Sequence, residues 1–121
     1  MKMNFFIFGT NNKEKAVVFY DELFGECDLN KVRDQGRMTV WGNEDFSFAV
    51  AEPFDEKPAS NGNGTMLGFQ VESVEKVDRL HQKALDLGGV CEGQPGIRSG
   101  VYSAYVRDLD NNKMGFYTSN V

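Results

Sequence analysis

The feature that most constrains this chain is a repeated order of elements. An apolar strand, an amphipathic helix and then a run of alternating residues occur once in each half of the 121 residues. In the first half Phe5 to Phe8 reads as a strand, followed by a helix from about residue 11 to 24. Asn11 and Glu14 stand at capping-box spacing, and Ala16, Phe19, Tyr20 and Leu23 fall on one helical face before Gly25 supplies a stop. In the second half Met66 to Val71 reads as a strand and Ser73 as an N-cap. Val74, Val77, Leu80, His81 and Ala84 make the stripe, which Gly88 and Gly89 end. After each helix the period changes from 3.6 to 2. Residues 38–41 and 46–50 form one predicted hairpin, and 101–106 and 113–118 another. A further short strand is expected before each, near 27–33 and 90–92. Each half is therefore β-α-β-β-β, and Phe5/Phe69, Gly25/Gly89 and Cys27/Cys91 are each 64 positions apart. The stretch PFDEKPASNGNG, residues 53–64, reads as the linker between module 1 (about 1–52) and module 2 (about 65–121) of a single domain.

Composition removes several classes. Eighteen acids against 13 bases leave a net charge of −5, the wrong sign for a chain-wide grip on nucleic acid. No apolar run approaches the roughly 20 residues needed to span a bilayer, and the amino terminus is too short in apolar residues for a signal peptide. Two cysteines are far too few for a disulfide scaffold, so a reducing cytoplasm is the expected location.

Three segments carry a family resemblance. They are Phe19-Tyr20-Asp21-Glu22-Leu23-Phe24-Gly25, Gly62-Asn63-Gly64-Thr65, and Arg107-Asp108-Leu109-Asp110-Asn111-Asn112-Lys113, the last similar to an Arg-Asp-Pro-Asp-Gly-Asn-Lys turn. In register with the duplicated pattern, they resemble the vicinal oxygen chelate superfamily, which includes glyoxalase I, bleomycin-resistance proteins and extradiol dioxygenases. The resemblance implies an α+β fold: two β-α-β-β-β modules whose curled mixed sheet surrounds a concave cavity, with the helices outside. It also implies a homodimer.

Strand alternation then suggests which side chains line that cavity. They are Phe5 and Ile7; Arg37, Thr39 and Trp41; Ser47, Ala49 and Ala51; Met66, Gly68 and Gln70; Ser103, Tyr105 and Arg107; and Gly115 and Tyr117. Met114 and Phe116 suit the helix-covered side. Among the lining residues, Phe5, Trp41, Tyr105 and Tyr117 could stack on a planar or sugar-like ligand. Arg37 and Arg107 could pair a carboxylate or phosphate, and Met66 and Gln70 complete the candidate ligand set.

Enzymes of the superfamily hold a divalent ion with two histidines and one or two Glu or Gln. Motif matching puts Phe5 (or Asn4) and Met66 in the histidine positions, Gly115 in the glutamate position, and Ala49 or Ala51 in the fourth. Phenylalanine and glycine offer no lone pair, and a thioether selects soft ions. No metal site of family type, no cofactor and no glyoxalase I reaction are therefore expected, since that reaction needs the ion to hold an enediolate. The lone histidine, His81, falls on the helix stripe, where a packing role outweighs general-base chemistry. Cys27 and Cys91 read as structural thiols, Asp108 and Asp110 as turn caps, and Gly62-Asn63-Gly64 lacks the lysine of a phosphate loop. No catalytic residue is assigned. The resulting reading is a metal-independent binder of a small organic molecule, with no nucleic-acid or membrane partner. Two others stay open: an enzyme of the superfamily with a non-standard metal site, and an interaction subunit whose cavity is vestigial.

Overall fold

The computed structural model describes all 121 residues, which fall into two compact units, Met1–Asn61 and Gly62–Val121. The division lies inside the Pro/Gly-rich stretch.

The first unit holds β1 (Phe5–Gly9), α1 (Lys13–Leu23), β2 (Asn30–Gln35), β3 (Met38–Gly42) and β4 (Ser47–Ala51). Its sheet order is β1-β4-β3-β2, with β1 parallel to β4 and the other pairs antiparallel. A parallel pair needs a crossover, and α1 with the β2–β3 hairpin supplies it. α1 covers one face through an aromatic cluster. Tyr20 and Phe24 bring their rings to 4.9 and 5.7 Å from that of the fully buried Phe48. Ala16, Phe19, Tyr20 and Leu23 are the buried stripe, as their spacing predicts. The cap differs from the expectation. Asn12, not Asn11, accepts the Lys15 amide. Asn11 instead exchanges two hydrogen bonds with the backbone of Ala59, at 3.1 and 2.7 Å, pinning the segment after β4 to the entrance of α1.

The second unit repeats the order with β5 (Leu67–Gln70), α2 (Val74–Asp86), β6 (Val90–Arg98), β7 (Val101–Arg107) and β8 (Lys113–Thr118). Its sheet runs β5-β8-β7-β6, with β5 parallel to β8. Ser73 caps α2 through the Lys76 amide at 3.1 Å. Val77, Leu80, His81 and Ala84 are buried against the sheet. Gly88 ends the helix with φ 102°, a left-handed conformation glycine reaches without strain. The expected short strand near 90–92 is in fact nine residues long, with its pairing interrupted on either side of Gly93. The fold is thus α+β, two β-α-β-β-β modules each with a mixed four-stranded sheet and a helix on one face.

The repeat is not at a constant offset. The buried stripes of the two helices match at 61 positions, whereas Trp41 and Thr39 answer Val106 and Ala104 at 65. Cys27 lies in the turn after α1 and Cys91 in β6, so the two thiols do not occupy equivalent places. Neither forms a disulfide.

Candidate functional site

The face of the second sheet turned away from α2 is set by β7 and β8. Ala104, Val106, Met114 and Phe116 are fully buried on the helix side, where the Tyr102 hydroxyl donates to Asp78 of α2 at 2.7 Å. That contact also raises the Tyr102 pKa, because the hydroxyl proton is held by a carboxylate. Alternation then places Ser103, Tyr105 and Arg107 of β7, and Gly115 and Tyr117 of β8, on the open face.

Across all four strands one level of this face reads Gly93 (β6), Tyr105 (β7), Gly115 (β8) and Gly68 (β5), each paired with the next. The Tyr105 ring fills the space that the neighbouring glycines leave. A Cβ on Gly93 would come within 2.7 Å of it, and one on Gly115 within 2.9 Å. Tyr117 leans over the third glycine, 3.6 Å from where a Cβ on Gly68 would be. The result is a low, aromatic floor. Cations stand around it. The Arg98 guanidinium carbon lies 5.1 Å and the Lys113 Nζ 5.4 Å from the Tyr105 ring centre. Arg98 is held by donating to the carbonyls of Ser103 (2.6 Å) and Gln94 (2.7 Å).

Of the residues expected to bind ligand, Gln70, Tyr105 and Tyr117 line this face directly. Met66, one residue before β5, is 44% exposed. Arg107 shares the face, but its guanidinium is engaged. It donates to Glu92 through Nε and Nη2 at 2.8 Å each, and to the Asn111 carbonyl at 3.0 Å. Phe5 lies on the open face of the first sheet, opposite Ser47, and is half exposed.

Three placements are corrected. Trp41 pairs with Phe48 and lies on the α1 side, 2% exposed, with its indole Nε1 donating to Asp21 of α1 at 2.9 Å. Thr39 follows it inward and donates to Asp34 at 2.8 Å. β3 is therefore one residue out of the expected register, and Val40 takes the open side. Arg37 precedes β3. Its Nη1 donates to the Glu52 carbonyl at 3.0 Å, its guanidinium lies 5.4 Å from the Phe54 ring centre, and it borders a surface groove with Thr10 and Pro53. Arg98, Lys113 and Gly93 were missed by the sequence reading. Lys113 opens β8 on the same face as Gly115 and Tyr117, whereas Arg98 and Gly93 belong to the long β6, whose extent the glycines at 93 and 96 conceal.

The donors for a family-type divalent ion do not fit. Phe5, Ala49 or Ala51, Met66 and Gly115 stand at the positions the resemblance assigns. Tyr105 closes the space above Gly115 where a glutamate side chain would start. No group of three or more His, Cys, Asp or Glu is arranged to hold a metal. His81 is buried beneath the sheet with Nε2 3.2 Å from Cys91 Sγ, and burial holds its pKa below the ordinary value, with Asp78 opposing. Asp108 is the turn cap expected of it, accepting from the amides of Asp110 and Asn112 at 2.9 and 2.8 Å.

No protein-family model matches the sequence, and no curated protein does. Solved structures do. A glyoxalase/bleomycin resistance protein from Albidiferax ferrireducens T118 is 32% identical, with a TM-score of 0.90 over 96% of this chain and 97% of that one. The chain belongs to the glyoxalase/bleomycin resistance protein family. More distant solved structures share the fold. The fosfomycin resistance protein FosX from Mesorhizobium loti is 20% identical with a TM-score of 0.72, over 98% of this chain and 92% of that one. A lactoylglutathione lyase from Agrobacterium tumefaciens is 18% identical with a TM-score of 0.71, over 96% and 92%.

Proposed function

We propose that this family member binds a small organic molecule on the open face of its second sheet, without a divalent ion. The observation that carries the reading is the Tyr105 ring lying over Gly115. The position from which the resemblance would send a metal-ligating glutamate is occupied by an aromatic surface. That surface suits stacking, and the hydroxyls of Tyr105 and Tyr117 and the amide of Gln70 can orient what stacks there. Lactoylglutathione lyase chemistry of the kind named for the Agrobacterium relative has no donor set to support it here. No helix is long and apolar enough to cross a membrane. Two unbridged thiols agree with a cytoplasmic protein, and the half-exposed Phe5 and Ile7 on edge strand β1 support a homodimer.

Protein purified without chelator is to be analysed for Ni, Zn, Fe and Mn, and its melting temperature compared with and without EDTA. Well under one equivalent of each metal and an unchanged melting temperature are expected. A small-molecule screen by thermal shift should then yield ligands whose stabilisation survives EDTA and is lost in Tyr105→Ala. One equivalent of tightly held metal, or stabilisation indifferent to Tyr105, overturns the reading.

A further inference from the structure

We infer that the molecule taken by this face is a planar anion, selected by an uncompensated pair of cations, Arg98 and Lys113, that flank the Tyr105 ring; the inference rests on the binding function proposed above.

The chain as a whole carries a net charge of −5. The open face of the second sheet runs against that balance. Three cations, Arg98, Arg107 and Lys113, stand there with the carboxylate of Glu92. Glu92 is committed to Arg107, which it meets at 2.8 Å. Arg98 spends its hydrogen bonds on neutral groups: the Ser103 carbonyl and hydroxyl and the Gln94 carbonyl. Those acceptors fix the guanidinium in place but cancel none of its charge. Lys113 makes a cation–π contact with Tyr105 and has no carboxylate partner. Two like charges therefore sit over one ring, 5.1 and 5.4 Å from its centre, and repel each other. An anion placed above the ring relieves that repulsion, whereas a cation adds to it. Arg107, the sequence's candidate for this task, is already neutralised.

The shape of the floor selects planarity. Three of the four residues in the Gly93-Tyr105-Gly115-Gly68 row have no side chain, and the two tyrosines lie over those glycines. No β-branched or long aliphatic side chain rises from that level to interrupt a flat ligand. An aromatic acid would rest its ring on the tyrosines and direct its carboxylate to the Lys113 ammonium.

Three probes of one shape and different charge separate charge from stacking: 1-naphthoate, 1-naphthalenemethanol and 1-naphthylmethylammonium, titrated calorimetrically at low salt. Naphthoate should bind about tenfold more tightly than the alcohol, as expected for a charge-assisted contact, and the ammonium more weakly than both. Added salt should erode the preference. Lys113→Gln should bring naphthoate's affinity close to the alcohol's, the ratio of the two affinities within the variant being the readout. Alcohol or ammonium binding as tightly as naphthoate overturns the anion selection while leaving the metal-independent aromatic site standing. Naphthoate preference intact in Lys113→Gln overturns the assignment to this cation pair. Absence of binding by all three probes in metal-free protein overturns the inference as well. The binding function itself falls separately, on finding bound metal or ligands indifferent to Tyr105.

Discussion

Trp41 of β3 donates its indole N–H to Asp21 of α1 at 2.9 Å, and the same carboxylate accepts from Lys31 of β2 through its other oxygen at 2.8 Å. One aspartate thus ties a helix to two strands. The contact raises the Lys31 pKa, since a salt-bridged ammonium holds its proton more firmly. It also lets the largest side chain in the unit be 2% exposed with its single polar atom satisfied.

Replacement of Trp41 by alanine should therefore act on folding. Loss of a buried indole against Tyr20 and Phe48 should cost about 3–5 kcal/mol in urea denaturation. Trp41→Phe, which keeps most of the packing and leaves Asp21 paired with Lys31, should cost less, about 1 kcal/mol for the lost N–H contact. Affinity for ligands of the second sheet should be unchanged in whichever variant remains folded. A Trp41→Ala protein of wild-type stability that has lost such a ligand would return Trp41 to the binding surface.

This placement shows where the sequence was legible and where it was not. α2 was readable because Ser73, the Val77-Leu80-His81-Ala84 stripe and Gly88 all agree locally. The faces of β7 and β8 were readable because apolar Ala104, Val106, Met114 and Phe116 alternate with Tyr105, Arg107 and Gly115. β3 gave no such contrast. Its inward pair is Thr39 and Trp41, polar-tipped residues, and its outward pair is Met38 and Val40. Polarity reads that strand backwards, because Asp34 and Asp21 satisfy the inward tips from other elements. The shift of the repeat from 61 to 65 positions adds to the error, since features at the two ends of a module cannot be matched by one offset. The cation pair about Tyr105 was illegible for a different reason. Arg98 reaches it only because β6 extends past the interruptions at Gly93 and Gly96.

Gly115 should tolerate no side chain while Tyr105 is present. Gly115→Ala puts a methyl 2.9 Å from the ring and should destabilise by about 1–3 kcal/mol through overpacking. In a Tyr105→Ala background the same change should cost less, a coupling that a double-mutant cycle in urea measures. Gly115→Glu should gain no metal affinity in either background, because Phe5, Met66 and Ala49 or Ala51 supply no further donor. Equal costs of Gly115→Ala in the two backgrounds would show that the ring does not occupy the glutamate position.

His81 makes stability depend on pH. Burial lowers its pKa in the folded state, so the unfolded chain takes up the proton first as the medium is acidified. The contribution is fully present above the unfolded value of about 6.5 and is lost as pH falls from there through the lower folded value, with a slope of at most about 1.4 kcal/mol per pH unit. His81→Phe should flatten urea-derived stability between pH 7 and 5 relative to wild type, whatever its effect at neutral pH. A slope unchanged by the substitution would assign the acid sensitivity to other groups.

Assembly is the remaining expectation open to direct measurement. β1 stands at the edge of the first sheet, with β4 as its strand neighbour there. On its open face Phe5 is 52% and Ile7 48% exposed, in a strand with no charged residue to discourage pairing. The opposite edge is different: β2 carries Lys31, Arg33 and Asp34 and is exposed throughout, a protected edge. Self-association should therefore use β1 rather than β2. Sedimentation should give twice the chain mass at micromolar concentration, and Ile7→Lys should return it to one chain without altering the circular dichroism spectrum. Val32→Lys in β2 should leave the dimer intact. A single-chain mass for the unmodified protein at that concentration, or a dimer lost only through β2, would overturn this account of the edge.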